Sequence, residues 1–360
     1  FILFYFFLLF KFDTDNDGYI PAEEFKYSLR TSAIAFGLNH EQANDLIENI
    51  DSNKDNFISF PEFTFLMARA KHMRLRSIML YAARSVLPKG QQTEKIRYLL
   101  EYNCFPPPLF MVLISLLQVG LYLYKYCPYN NRFMPAKCAP VKSPLILNPC
   151  KKEEIWRYLS YMFVHVGFIH LLNNLVVQFL LGIPLELVHK FWRIGCLYFI
   201  GVICGALLFF VFDREIYLAG ASGGVYALLS AHIANIIINW NEMEFNWIRA
   251  SIFGIFISSD IGVSIYQRYF SLMPNKEVSY ISHIGGFISG LFLGIVLLRN
   301  LKKLIWEKYA WWTSLTLFSF FIFFCIVSFF FKLFYFFLKE NIKRVEEYKN
   351  KKKNNFFSDL

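Results

Sequence analysis

Four polar side chains with chemical potential lie in apolar surroundings: Ser222, His283, His170 and Asn174. Ser222 stands in Leu218-Ala219-Gly220-Ala221-Ser222-Gly223-Gly224-Val225-Tyr226, at the opening of an apolar run that reaches about Trp240. Small residues around a serine let helices approach, so packing is one reading of this stretch. The other is nucleophilic chemistry. A serine hydroxyl becomes a nucleophile when an imidazole takes its proton, and the same imidazole can later protonate a leaving amine. The oxyanion formed on the way needs donors placed in advance. The Ser222 backbone N–H, the Asn174 amide and the His170 imidazole are the candidates, with His165 close by in sequence. Tyr226 follows Ser222 by one helical turn, so its ring can pack beneath an imidazole brought by another helix. Asp260 is the only acidic residue deep in an apolar run, and its expected face does not lead to His283. The pattern is therefore a Ser222–His283 dyad, with Asp260 a polar contact elsewhere in the bundle.

The elements that must position these groups are membrane spans. Of the 360 residues 56% are hydrophobic and 19% aromatic, concentrated in long runs from Leu109 onward, which points to a polytopic membrane protein. Seven spans are expected, at about 108–126, 161–188, 192–212, 219–240, 247–267, 279–298 and 310–338. Short connections make successive spans alternate in direction. The second, fourth and sixth then run the same way, and His165, His170, Asn174, Ser222 and His283 share one depth near their starts. Polar groups inside a bilayer are costly and usually face a bundle interior or a water-filled cavity. His283, Gly286, Gly290 and Gly294 share one face of the sixth span, a glycine face that permits close approach to the fourth.

The long loop between the first two spans carries Cys127, Cys138 and Cys150, placed where disulfides can form if it faces the lumen or exterior. The chain's seven cysteines include no C-x-x-C pair, which argues against a zinc site. A net charge of +10, spread over loops and tail, suits anionic lipid headgroups better than nucleic acid. The segment 71–105 is basic, with leucines and tyrosines interleaved, and reads either as an interfacial helix or as a solvated helix joining two domains.

Ahead of the spans, Asp13 to Glu24 has the pattern of a calcium loop. Asp13, Asp15 and Asp17 offer carboxylate oxygens, Tyr19 a backbone carbonyl, and Glu24 a bidentate carboxylate. Gly18 allows the sharp turn at the sixth position. In a second loop Asp51, Asn53, Asp55, the Phe57 carbonyl and Glu62 hold the same places, with Asn56 at the turn, since asparagine visits the left-handed region more easily than most residues. Asn53 replaces a carboxylate, so weaker binding is expected there. Ile20 and Ile58 hold matching positions and can pair in a short β-bridge. The two loops resemble an EF-hand pair. The very apolar Phe1 to Phe12 and the lack of an initiator methionine suggest that the N-terminus is truncated.

The membrane residues resemble a family as well. His165-Val166-Gly167-Phe168-Ile169-His170-Leu171-Leu172-Asn173-Asn174, Gly220-Ala221-Ser222-Gly223 and His283-Ile284-Gly285-Gly286, with Glu154-Ile155-Trp156-Arg157 and Pro106-Pro107-Pro108, resemble the rhomboid intramembrane serine proteases. The EF-hand pair ahead of a six-plus-one core looks like the calcium-responsive secretory-pathway type. The resemblance implies Ser222 as nucleophile, His283 as base, and His170 and Asn174 as oxyanion donors, with His165 and Tyr226 in support. It further implies substrate entry beside the fifth span, at Ser258, Ser259 and Asp260, and cleavage of single-pass membrane substrates near the exterior end of the spanning segment.

The expected fold is an all-α membrane bundle, a six-helix rhomboid core plus a seventh C-terminal span, with a cytosolic EF-hand domain. Its parts are an EF-hand pair at 1–70, a linker at 71–105, the core at 106–300, the seventh span at 301–338 and a basic tail at 339–360. The expected activity is that of a calcium-modulated intramembrane serine endopeptidase, with regulatory calcium at the EF-hands and no cofactor in catalysis. Single-pass substrates and the lipid bilayer are its partners, nucleic acid is not, and the Golgi or plasma membrane is its location. The alternative is a catalytically silent rhomboid-like protein that binds client transmembrane segments. A calcium-gated transporter is a third reading, but it lacks the inverted repeats or broken helices such folds show.

Overall fold

Two isoleucines set the register of the first unit, Phe1–Ala82. Strands β1 (Tyr19–Pro21) and β2 (Phe57–Ser59) pair antiparallel with Ile20 opposite Ile58, the pairing expected from their matching loop positions. Helix α1 (Ala22–Thr31) leaves β1 directly, and its Phe25 and Leu29, one turn apart, face α2 (His40–Glu48) through Ala43, Leu46 and Ile47. Phe63 closes this core edge-on against Phe25, ring centroids 5.7 Å apart. The described part of the unit thus rests on one cluster of apolar side chains. The structure, a computed structural model, describes residues 19–31, 40–48, 51, 54–59, 61–66, 68–70, 73, 81–82, 86, 108–126, 143–213, 216–270, 280–298 and 304–358. Phe1 to Phe12, the basic linker apart from a few positions, and Cys127 and Cys138 lie outside these residues; Cys150 is exposed.

The second unit, Ala83–Leu360, is helical. Helix α3 (Leu109–Tyr126) is followed by the short α4 (Arg157–Ser160) and a single 3-10 turn at Tyr161–Phe163. Next come α5 (Phe168–Val177), a π-helical segment at Gln178–Gly182 and α6 (Ile183–His189), which run on as one rod. Then follow α7 (Phe191–Phe212), α8 (Ser222–Ile238), α9 (Asn246–Tyr269), α10 (Ile281–Leu297) and α11 (Ile305–Ser358). Among the described residues, four helical stretches are long and apolar enough to cross a membrane: Phe168–His189, Phe191–Phe212, Asn246–Tyr269 and Ile305–Tyr335. The apolar helices at Leu109–Tyr124, Ser222–Ile238 and Ile281–Leu297 are shorter. The span expected at 161–188 starts later. Val164 is extended and Gly167 takes φ 81°, so the helix opens only at Phe168 and leaves His165 in the connection before it.

Helices α7, α8 and α10 pack together at the centre, and α11 lies against α7 and α10. Close approach depends on glycine. A Cβ at Gly286 or Gly290 would strike the carbonyl oxygens of Gly223 and Ala227 on α8, so only glycine lets these two backbones meet. Polar links finish the bundle. Glu186 accepts from the backbone N–H groups of Phe110 (2.8 Å) and Met111 (2.9 Å), satisfying two of the donors that the start of α3 leaves open. Gln178 donates to Ser115 (2.9 Å) and Gln118 (3.2 Å), and Tyr198 donates back to Gln178 at 2.9 Å, so a buried amide–phenol network joins α3, the π segment and α7.

Candidate functional site

Ser222 occupies the first position of α8, after a tight turn at Gly220 with φ 113°. A side chain at Gly220 would be strained by that backbone, and its Cβ would also fall 2.6 Å from the His170 ring. The turn therefore seats His170 beside the start of α8. It is held from outside by Gly220 N–H donating to Tyr161 O (3.2 Å) and by a bridge between Leu147 and Leu218. Ser222 is half-buried, and its own N–H is among the open donors of a helix N-terminus. His170 stands edge-on to the fully buried His165, ring centroids 5.4 Å apart, and its Nδ1 accepts weakly from Val166 N–H at 3.4 Å. Both ring nitrogens of His165 lack a hydrogen-bond partner among the described residues. Asn174 turns its amide back onto its own helix and donates to His170 O at 2.9 Å.

On the other side of Ser222, α10 brings His283 flat against Tyr226, ring centroids 4.5 Å apart and planes inclined by 13°. That stack is the arrangement expected from the one-turn spacing of Ser222 and Tyr226. The aspartate is the surprise. The Tyr226 hydroxyl donates to Asp260 Oδ2, and the same oxygen lies 3.2 Å from His283 Nδ1, at ion-pair distance but off the line of a hydrogen bond. Asp260 thus meets the imidazole that the sequence reading placed out of its reach. Three consecutive polar residues on α9, Ser258, Ser259 and Asp260, spread over more than half a turn. They give no phase from which the inward one could be picked. Among the described residues no hydrogen bond joins Ser222 to His283.

The first loop is built around Arg157. Its guanidinium donates to Ser143 O (3.0 Å) and Ile146 O (2.7 Å), and Glu154 pairs with it, while Trp156 donates to Pro144 O at 3.3 Å. Burial works to raise the Glu154 carboxyl, but Arg157 and Lys151 together hold it below its ordinary range.

The calcium loops are described in part. Asp13, Asp15, Asp17 and Asn53 lie outside the described residues, and Tyr19 opens β1. In the second loop Asp51 accepts from the N–H groups of Asp55 (3.2 Å) and Asn56 (2.9 Å), and Asp55 accepts from Phe57 N–H (2.8 Å). Glu62 is held by Ser59 through its N–H (3.0 Å) and hydroxyl (2.8 Å). Asn56 sits at φ 66°, the left-handed turn anticipated for it. These carboxylates converge on one tight turn, an oxygen set that fits a hard cation.

Comparison with known proteins agrees on the family. The Rhomboid domain family matches residues 152–300, and an EF-hand domain pair matches residues 5–68. The chain is 35% identical over 315 residues to a Caenorhabditis elegans protein named Inactive rhomboid-related protein 2, covering 88% of this chain and 90% of that one. It is 36% identical over 316 residues to Rhomboid-related protein 1 of the same organism, covering 85% and 87%. It is 32% identical over 345 residues to human Rhomboid-related protein 3, covering 88% and 85%.

These relatives correct the expected activity. Likeness over nearly the whole length to a protein named inactive removes the inference from motif to serine protease. The expectation of a calcium-modulated intramembrane serine endopeptidase, a hydrolase working through a Ser–His dyad, is therefore not kept. The geometry gives the physical reason: His283 is engaged by Tyr226 and Asp260 and not by Ser222, and the Asn174 amide donates to a backbone carbonyl of its own helix. With an EF-hand pair before a rhomboid domain and whole-length likeness to rhomboid-related proteins, the chain belongs to the rhomboid family, as a multi-pass membrane protein with a cytosolic N-terminal region.

Proposed function

We propose that this protein is a non-catalytic rhomboid that binds the transmembrane segments of client membrane proteins within the bilayer. The observation that carries the reading is the partnership of His283, stacked on Tyr226 and facing Asp260, with no bond to Ser222 among the described residues. A hydroxyl whose proton has no acceptor in place is a weak nucleophile, but it remains a good hydrogen-bonding group. Ser222, His283, His170, Asn174, His165 and Tyr226 then serve as the polar lining that a client segment meets. Helix α9 offers the approach: only 11% of its apolar stretch is buried inside the protein, and Ile252, Ile255, Phe256 and Val263 are exposed. Exposed apolar side chains on a lipid-facing helix can exchange lipid for a client helix at little cost, because lipid tails and helix surfaces are similarly apolar.

In this reading six helices between 106 and 300 form the core, the apolar part of α11 adds a seventh, and a basic tail follows from 339. Calcium binds the N-terminal pair as a regulatory ion. Asp13, Asp15, Asp17, the Tyr19 carbonyl and Glu24 hold it in the first loop, and Asp51, Asn53, Asp55, the Phe57 carbonyl and Glu62 in the second. The Golgi or plasma membrane is the location. The test is capture of single-pass membrane proteins by a photoreactive residue placed at Phe256, in wild type and in Ser222→Ala. Intact client spans are expected from both, with lower recovery from Ser222→Ala, which lacks one hydrogen-bonding group of the lining. Ser222-dependent appearance of cleaved client fragments overturns the proposal.

A further inference from the structure

Residues Phe168 to His189 run as one rod, yet their inward positions do not keep the period of an α-helix. Asn174, Gln178, Gly182 and Glu186 are all buried, and His170, one step earlier, faces Gly220, so the inward residues recur at every fourth position. An α-helix turns about 100° per residue, so each four-residue step overshoots a full turn by about 40°. From His170 to Glu186 the drift would reach about 160°. The π-helical turn at Gln178–Gly182 takes in one extra residue and takes back about 100° of that drift. One side of the rod can therefore hold His170 beside the start of α8 and Glu186 on the first N–H groups of α3.

The wide turn has identifiable causes. Pro184 has no N–H to give the Leu180 carbonyl one turn back, and its ring presses on that carbonyl, so a regular α-helical turn does not close there. Proline is tolerated in the first turn of a new helix, and α6 begins there. The next carbonyl, Leu181 O, lies 3.0 Å from Nε2 of His232 on α8; a carbonyl only accepts, so that nitrogen carries the proton. At the other end of the turn Gln178 closes a ring of hydrogen bonds. It donates to Gln118, Gln118 donates to Tyr198 (3.0 Å), and Tyr198 donates back to Gln178. All three side chains are fully buried, where an amide left unpaired is costly. The turn is thus tied to α3, α7 and α8.

We propose that this turn sets the rotational phase of the polar lining: Pro184 opens it, Gln178 with His232 holds it open, and His170 and Asn174 face α8 as a result. Gln178 and His232 act through the rotation of α5 and are positioning residues. The consequence for clients rests on the client-binding reading; the rotation itself does not. If the turn closes to a regular α-helix, one end of the rod must rotate by about 100°. Helix α5 is the end that yields, because Leu171 and Asn174 are its buried residues, against Pro184, Leu185, Glu186, Val188 and His189 on the shorter α6.

A lipid-soluble carbene probe, photoactivated in reconstituted vesicles without client and mapped residue by residue, reads this phase. Between Leu171 and Val177 the wild type should be marked at Leu172, Asn173 and Val176, the exposed positions. Gln178→Leu combined with Pro184→Ala breaks the ring and restores the missing N–H. The pattern should then advance by one residue, to Asn173, Asn174 and Val177. Deleting Leu180 in that background shortens the regular rod by one residue and should bring the wild-type pattern back, a repair that general damage to packing would not show. Pro184→Ala with Leu180 deleted, which keeps the Gln178 ring, guards against misfolding of the first variant; it should fold with the wild-type pattern. An unchanged pattern in the first variant overturns the proposal. So does an advanced pattern that deletion of Leu180 fails to reverse, or one that appears while the Gln178 ring is kept. No client is present, so these results stand apart from the client-binding reading, which capture at Phe256 tests.

Discussion

The glycine contact between α8 and α10 makes a sharp prediction because identical changes on neighbouring helices should have opposite outcomes. Gly286 faces the Gly223 carbonyl so closely that an added methyl would overlap its oxygen, with the Gly223 carbonyl carbon 2.9 Å away. All these atoms are backbone, so no side-chain rotation relieves the clash. Separating the helices by about an ångström restores ordinary contact, and overpacking of this kind costs about 1–3 kcal/mol. Gly254 on α9 has nothing within 4 Å of the same methyl. Gly286→Ala should therefore destabilise by about 2–3 kcal/mol, while Gly254→Ala, inside a helix with open space around it, should stabilise by about 0.4–1 kcal/mol. Unfolding in mixed micelles, followed by helical circular dichroism against detergent composition, measures both. Displacing α10 also lifts His283 off Tyr226, so Gly286→Ala should weaken client capture while Gly254→Ala leaves it intact. Equal stability of the two variants would refute the close-contact argument.

Three further outcomes follow from other parts of the molecule. Asp51→Ala removes the carboxylate that organises the second loop and should abolish calcium binding there, measured by isothermal titration on the full chain, while leaving the first site able to bind. Glu186→Ala leaves the Phe110 and Met111 N–H groups unpaired at the start of α3 and should cost about 1–3 kcal/mol in the same unfolding assay. Glu154, whose pKa is lowered in the folded state, contributes loop order that is present above its unfolded value and lost as the pH falls through the lowered folded one. Hydrogen exchange over residues 143–160 should therefore accelerate below the ordinary carboxylate range, and Glu154→Gln should remove that dependence.

Much of this fold could be read from the sequence because its signals are local. Ligand spacing set the EF-hand pair, and the equivalent places of Ile20 and Ile58 set the register of the small ribbon. Helical spacing put Tyr226 under His283 and aligned the glycines of α10, since both follow from geometry within one turn. Where the answer depended on tertiary context, the sequence was silent or misleading. Asp260 stands among exposed residues on a helix without a marked apolar face, so its inward reach has no periodic signature. The network of Ser115, Gln118, Gln178 and Tyr198 joins residues up to 80 positions apart, and no single helix pattern reveals it. The start of α5 was placed too early because Tyr161 to His165 is as apolar as a helix there, although Gly167 interrupts it. The activity was misread for a related reason: the right residue types at the right depth do not fix which partner the imidazole takes.

In the client-binding reading Ser222 is a hydrogen-bonding group and no nucleophile. Labelling by a fluorophosphonate probe, which reports activated serines, tests it most directly when wild type and Ser222→Ala are compared in membranes with and without calcium. The same background signal is expected in all four samples. Labelling that appears in wild type and disappears in Ser222→Ala would contradict it.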